Sequence, residues 1–314
     1  MILTNRGSQN ATLNYTYTAA FGEGTGTGSD FLAAGKQTIV PDAISYLASL
    51  GIPIPGSGSR GGTLSVESSG SSEVTVLVRT TTVVAEGRAG LAYGGIPSDA
   101  GFAETVYLCG LRQNTNDRAN VAVQNMGTAA QGNITLRVTV FSGEQSSLTS
   151  TQLPALTLSP GGFHQFGGIL SSYGGSGTAN GYIKVERIAG TAPFYAYGVI
   201  NDNFNSDGSF VFPVTESSLV GKTGQTLPVI VETTEFNSEL TVTNFSDSAK
   251  TINFSFVADA VQTASNTASF DLTLQQGEQK IIPDIVDFLR QAGILGIGAR
   301  GGTHLCRSFV CQCG

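Results

Sequence analysis

Apolar and polar residues alternate along three well-separated stretches of the chain. Leu13, Tyr15 and Tyr17 stand two apart with Asn14 and Thr16 between them. Ile134, Leu136, Val138 and Val140 repeat the pattern, and so do Ile252, Phe254 and Phe256. Period two is the spacing of a strand with one buried face. Val74, Val76 and Val78, and Tyr195, Tyr197 and Val199, mark further strands. Glycine-rich runs at 22–28 and 174–177 punctuate them, where tight turns need backbone dihedrals that glycine accepts. Several short strands per unit, separated by frequent turns, predict antiparallel β-sandwiches.

The residues around these strands recur in register. Asn5 stands as far before Asn244 as Tyr15 stands before Phe254. Ala34-Gly35-Lys36-Gln37-Thr38-Ile39-Val40-Pro41-Asp42 matches Gln276-Gly277-Glu278-Gln279-Lys280-Ile281-Ile282-Pro283-Asp284, and Arg60-Gly61-Gly62-Thr63 matches Arg300-Gly301-Gly302-Thr303. A fainter copy lies halfway between. It carries Gln124-Asn125, the strand Ile134 to Val140, Leu158-Ser159-Pro160-Gly161 and Gly181 to Glu186. The period is about 120 residues. The expected division is a first repeat over 1–102 lacking its first strand, a complete second repeat over 103–222, and a third over 223–303 lacking its C-terminal strands. A divergent cysteine-rich tail covers 304–314. Such a chain reads as a segment of a longer array.

One short helix is predicted in each outer repeat. Asp42 and Asp284 follow a proline and suit an N-cap, where a carboxylate accepts unpaired backbone N–H groups. Ile44, Leu47 and Ala48, and Ile285, Phe288 and Leu289, then follow at helical spacing. Gly51 and Gly293 sit where a helix ends in a left-handed residue. The middle repeat lacks the Pro-Asp entry, so a shortened turn or loop is expected over Gly167 to Tyr173.

The Leu3-Thr4-Asn5 strand, the Ile39-Val40-Pro41-Asp42 helix entry, the 61–67 segment and the late hairpin at Asn201-Asp202-Asn203 resemble the tandem immunoglobulin-like β-sandwich repeats of large secreted bacterial surface proteins. The resemblance spans nearly all of residues 2–303. It implies a mainly β fold of tandem antiparallel sandwiches. It also implies an extracellular or cell-surface parent in which repeats act as spacers or weak binding modules for carbohydrate or protein. Fold likeness alone leaves function open, because such sandwiches host many roles.

Composition fits that picture. Charged residues make up 12% of the chain and the net charge is −7, without the clustered Lys and Arg that nucleic-acid binding requires. No apolar run is long enough for a membrane-spanning helix.

The candidate chemistry is sparse. The only histidines are His164 and His304, and no nucleophile elbow, zinc-protease or phosphate-loop motif occurs. His164 holds the place of Thr38 and Lys280 in the other repeats, which predicts a solvent-facing side chain. Asp202, Asn203, Asn205 and Asp207 resemble the first half of a calcium loop, with Val214 where a bidentate Glu belongs; a glycine-ended hairpin turn is the competing reading. His304, Cys306, Cys311 and Cys313 are a candidate zinc set with unfamiliar spacing, set against a non-native or disordered tail. Cys109 sits among apolar residues as an expected buried free thiol. Tyr173, Tyr195 and Phe204 are candidate aromatic contacts for a surface ligand, set against ordinary core or hairpin packing as the favoured reading of each. Structural or adhesive work is therefore expected, with two alternatives: an ester or phosphoester hydrolase, metal-assisted or not, and self-association through open strand edges.

Overall fold

The alternation over residues 11–17 becomes a strand whose Ala11, Leu13, Tyr15 and Tyr17 point inward while Thr12, Asn14 and Thr16 face solvent. This computed structural model describes residues 1–85, 87–144, 149–175, 177–257, 267–293, 300 and 305–313. Within them the chain is mainly β, with antiparallel sheets and four short helices.

The first unit contains β1 (Ile2–Asn5), β2 (Ala11–Phe21), β3 (Gly26–Leu32), β4 (Gln37–Ile39), α1 (Ala43–Ser49), β5 (Gly61–Ser69), β6 (Val74–Val84) and β7 (Gly87–Gly94). Its sheets run β4-β1-β6-β7 and β3-β2-β5. The second contains β8 (Val106–Arg112), β9 (Asp117–Asn125), β10 (Ile134–Ser142), β11 (Ser150–Gln152), β12 (Leu156–Leu158), β13 (Phe163–Phe166) and α2 (Ile169–Tyr173). It continues with β14 (Asn180–Ala189), β15 (Phe194–Asp202), β16 (Gly208–Val211), β17 (Val214–Thr215) and α3 (Glu216–Leu219). Its sheets run β13-β9-β15-β16 and β11-β10-β14-β8-β17, with β12 also on β10. The third contains β18 (Gly224–Glu232), β19 (Leu240–Thr243), β20 (Lys250–Val257), β21 (Thr267–Leu274), β22 (Gln279–Ile282), α4 (Ile285–Gln291) and β23 (Leu305–Cys313). Its sheets run β18-β23-β20-β21 and β19-β22.

Three hydrophobic clusters fill these sheet pairs, and none shares a residue with another. Leu3, Leu13, Tyr15, Leu47 and Ile52 belong to the first. Leu108, Val121, Ile134, Ile183 and Phe194 belong to the second. Ile230, Phe254, Leu274, Ile285 and Leu289 belong to the third. Phe194 and Phe254 are wholly enclosed, which contributes roughly 1.5–3 kcal/mol each.

The outer helices form for the expected reason. Asp42 accepts from the Ser45 amide at 3.0 Å and Asp284 from the Asp287 amide at 2.9 Å. Gly51 and Gly293 close them at φ 90° and 75°. In the middle unit Gly168 offers no side-chain cap, and the helix has five residues. The third unit also buries Glu232, which pairs with Arg290 of α4 at 2.6 Å.

A buried asparagine bridges each unit. Asn5 Nδ2 donates to Gln9 O at 2.8 Å and to Leu32 O at 3.2 Å, while its Oδ1 accepts from the Gly7 amide at 3.0 Å. Asn125 Nδ2 donates to Gly132 O and Leu158 O, and Oδ1 accepts from the Gly127 amide at 2.8 Å. Asn244 Nδ2 donates to Ser248 O, Leu274 O and Gln275 O, and Oδ1 accepts from the Ser246 amide at 3.0 Å. One carboxamide supplies two donors and an acceptor, so it satisfies both sides of a turn that water cannot reach. Gly7 and Gly127 have no room for a side chain: a Cβ would lie 2.4 Å from Ser71 Oγ in one and 2.2 Å from Ala192 Cβ in the other. Ser246 fills that place in the third unit, and its hydroxyl also donates to Asn244, at 2.7 Å.

The tail departs from expectation. Leu305–Cys313 does not lie outside the third unit. It forms β23 between β18 and β20, with Phe309 paired in register to both Leu227 and Phe256. Backbone pairing on both edges holds this strand although its sequence lacks the pattern expected of it, because ladder hydrogen bonds are common to all residue types except proline.

Candidate functional site

The outer face of the β13-β9-β15-β16 sheet carries a run of aromatic rings. Period two along β15 puts Tyr195 and Tyr197 on that face while Phe194 and Ala196 enter the core. Phe102 stacks on Tyr195 with centroids 5.3 Å apart, and Phe210 stacks on Tyr197 at 5.2 Å. Phe212 follows at 4.8 Å from Phe210. The ring of Tyr93, from β7 of the first unit, stands edge-on to Tyr197 at 5.6 Å and to Phe210 at 6.1 Å.

Beside these rings lies a groove of about 200 Å³ lined by Tyr93, Asn120, Ala122, Gln165, Tyr197 and Asn201, with Val121 and Val199 completing its wall. Strand register explains the hollow. Ala122 pairs with Gln165 on one side and Tyr197 on the other, so a methyl group lies between two long side chains. Asn120 is fixed by its neighbours: it donates to Asn201 Oδ1 at 2.9 Å and accepts from the Gly168 amide at 2.9 Å. Burial pushes the Tyr93 and Tyr195 phenols above their ordinary pKa. It does the same to Tyr197, which is raised further by the nearby Tyr93 and Tyr195 phenols. All three remain neutral donors and acceptors at physiological pH.

The second and third units meet at a polar seam. Gln279 of β22 is buried there, accepting from the Gly110 amide at 2.8 Å and donating to Gly181 O at 2.8 Å. Arg112 and Glu239 form a two-pronged ion pair across the same junction, and Tyr107 packs on Phe245 with centroids 4.5 Å apart. Cys109 is a free thiol in this seam, partly exposed where the sequence predicted burial. Burial raises its pKa to about 12, although a hydrogen bond with Thr243 acts in the opposite direction. At the other junction, Thr63 Oγ1 donates to Gly161 O at 2.6 Å and the Gly90 amide donates to Asp207 Oδ1 at 3.0 Å.

The four residues of the candidate calcium loop lie together at the β15–β16 hairpin. Their oxygens face donors of the protein. Asp202 Oδ1 accepts from the Phe204 and Asn205 amides at 2.7 and 2.9 Å. Asn205 Oδ1 accepts from the Asp207 amide at 2.7 Å, and Asn203 Oδ1 from Arg118 Nη1 at 3.1 Å. A guanidinium therefore occupies ground that a cation would need, and the turn is held by Asx-type bonds with Ser206 at φ 63°.

Of the candidate zinc set, His304 lies outside the described residues. Cys306, Cys311 and Cys313 occupy strand positions in β23. At about 3.3 Å of rise per residue, the backbones of Cys306 and Cys311 stand roughly 16 Å apart, farther than two thiolates on one zinc span. Among the described residues no group of three His, Cys, Asp or Glu side chains converges as a metal site.

His164 lies exposed on β13, its ring 4.5 Å from that of Phe166. Tyr173 sits at the edge of Phe166 and Phe204 is almost fully exposed, so neither joins the aromatic run; Tyr195 does. Sequence reasoning missed Tyr93, Asn120, Gln165 and Asn201 as a group. Their only local signal is an amide or phenol on an outward strand position. No helix among the described residues is long and apolar enough to cross a membrane.

These features define a mainly β protein with sandwich-like sheet pairs. Compared with family models, curated proteins and solved structures, the chain finds no match.

Proposed function

We propose that the chain is a structural and adhesive segment of an extracellular bacterial surface protein, built from three copies of one immunoglobulin-like β-sandwich module. The observation that carries this reading is the asparagine bridge. Asn5, Asn125 and Asn244 recur along the sequence, and each joins a turn to the end of a distant strand through the same amide groups. The strand orders agree with it. β21-β20-β23-β18 follows the order of β11-β10-β14-β8, and β3-β2-β5 that of its first three positions. The sheet pairs β13-β9-β15 and β4-β1-β6 correspond likewise. Separate cores joined by hydrogen-bonded seams suit a chain that transmits load or holds a spacing between its ends.

Pulling a single molecule from its two ends tests the modular reading. Three unfolding events of comparable contour length are expected, whereas one indivisible event excludes independent modules. Labelling of intact producing cells by an antibody against the chain tests the location. Labelling only after permeabilisation would overturn a surface role.

A further inference from the structure

We propose that the groove between Tyr93 and the outer face of β9, β13 and β15 binds one ring of a neutral saccharide. Three features point to that chemistry. The lining residues are aromatic, aliphatic or amide, and none carries a charge. A neutral ligand therefore enters without leaving an ion unpaired, which a charged ligand would do. The Tyr93 and Tyr197 rings provide apolar surface for the C–H face of a sugar. The phenols of Tyr93 and Tyr197 and the exposed Gln165 amide have no hydrogen-bond partner among the described residues, so they can meet sugar hydroxyls as both donors and acceptors. At about 200 Å³ the hollow lies below the roughly 300–1,000 Å³ of sites for drug-sized ligands, in keeping with a single ring.

Position supports the same assignment. Ala122 leaves the floor low, while Tyr197 and Gln165 rise on either side of it. Asn120 is held by Asn201 and the Gly168 amide, so the polar wall is fixed before a ligand arrives. Tyr93 comes from the first unit and lines the groove, so the site is complete only where the two units meet. An extended proline-rich peptide would need an open aromatic ridge, and here Tyr93 already packs edge-on against two of its rings, Tyr197 and Phe210. The site does not depend on the chain's being a surface spacer.

The test uses the full chain and its own fluorescence. The chain has nine tyrosines and no tryptophan, and Tyr93 and Tyr197 of the groove contribute to the tyrosine emission, so the groove variants below locate any response. Cellotriose, maltotriose, xylotriose and chitotriose are titrated one at a time, beside a proline-rich decapeptide. At least one saccharide is expected to change the emission saturably in the millimolar range, with little dependence on salt. Gln165→Ala, at an exposed position, and Tyr93→Ser should each weaken that binding roughly tenfold, while Tyr173→Ala leaves it unchanged. Circular dichroism and the melting curve confirm that each variant is folded. Three results would overturn the proposal: no saturable response to any of the four saccharides, affinity in both groove variants equal to that of the unsubstituted chain, or binding of the peptide alone.

Discussion

Gln279 and Asn180 exchange hydrogen bonds across the junction of the second and third units. Gln279 Nε2 donates to Asn180 Oδ1 at 2.6 Å, and Asn180 Nδ2 donates back to Gln279 O at 2.7 Å. The remaining amide groups of Gln279 reach Gly110, Gly181 and Thr243, so the side chain is fully satisfied although only 2% exposed. Removing one member of such a network leaves buried partners without water or protein to bond.

Gln279→Ala therefore uncouples the two units. The loss should be roughly 2–4 kcal/mol, since it orphans the Gly110 amide and the Gly181 carbonyl together. Calorimetry should show the third unit melting in a separate, earlier transition. A single unshifted transition would contradict a role for this seam in cooperativity.

Asn125 is expected to be intolerant even of close relatives. Asn125→Ala breaks three hydrogen bonds at a fully enclosed position and should cost about 3 kcal/mol in urea denaturation. Asn125→Asp should cost more. It replaces the Nδ2 donor by an oxygen facing the Gly132 and Leu158 carbonyls, and buries a charge besides. An Asn125→Asp variant as stable as the unsubstituted chain would show that the bridge depends on shape alone.

Cys109 ties stability to alkaline pH. Burial lifts its thiol from 9.0 to about 12, so the protonated form is the one the folded state accommodates. Its contribution is complete below pH 9 and is lost as pH climbs toward 12, where the unfolded chain has already released the proton. The urea midpoint should fall across that window, and Cys109→Ala should flatten the fall. At neutral pH, site-resolved mass spectrometry should find Cys109 unmodified by iodoacetamide until the chain is unfolded.

The β15–β16 hairpin should ignore calcium. Asp202, Asn203, Asn205 and Asp207 already accept hydrogen bonds from the protein, and Arg118 places its positive charge beside them. Millimolar calcium or a chelator is expected to leave the melting temperature unchanged. Asp207→Ala should cost less than about 1 kcal/mol, by releasing the Gly90 amide to solvent. A calcium-dependent rise in melting temperature, abolished by Asp202→Ala, would establish a metal site there.

Much of the architecture can be read along the chain, because its signals act within a few residues. Alternation at Leu13, Ile134 and Ile252 specifies which face of each strand is buried, and Asp42 and Asp284 start helices through amides three residues on. The strand at Leu305–Cys313 was not legible. Its sequence carries no strand alternation of the kind seen at Leu13, and its place depends on backbone edges supplied by β18 and β20. The aromatic groove was half legible: alternation puts Tyr195 and Tyr197 on one face, but nothing nearby in sequence brings Tyr93 onto them.

One pair of positions separates the two kinds of information. Thr4 bonds to Gln37 in the first unit as Thr243 bonds to Gln279 in the third, at 3.1 and 2.9 Å, so local sequence and strand register determine that contact in both. Gln37 stays exposed to water, whereas Gln279 is buried and joins two units. That difference comes from the neighbouring surface of Gly110, Asn180 and Gly181. Strand periodicity and caps are properties of the local chain, but desolvation of a side chain is decided by whatever packs against it.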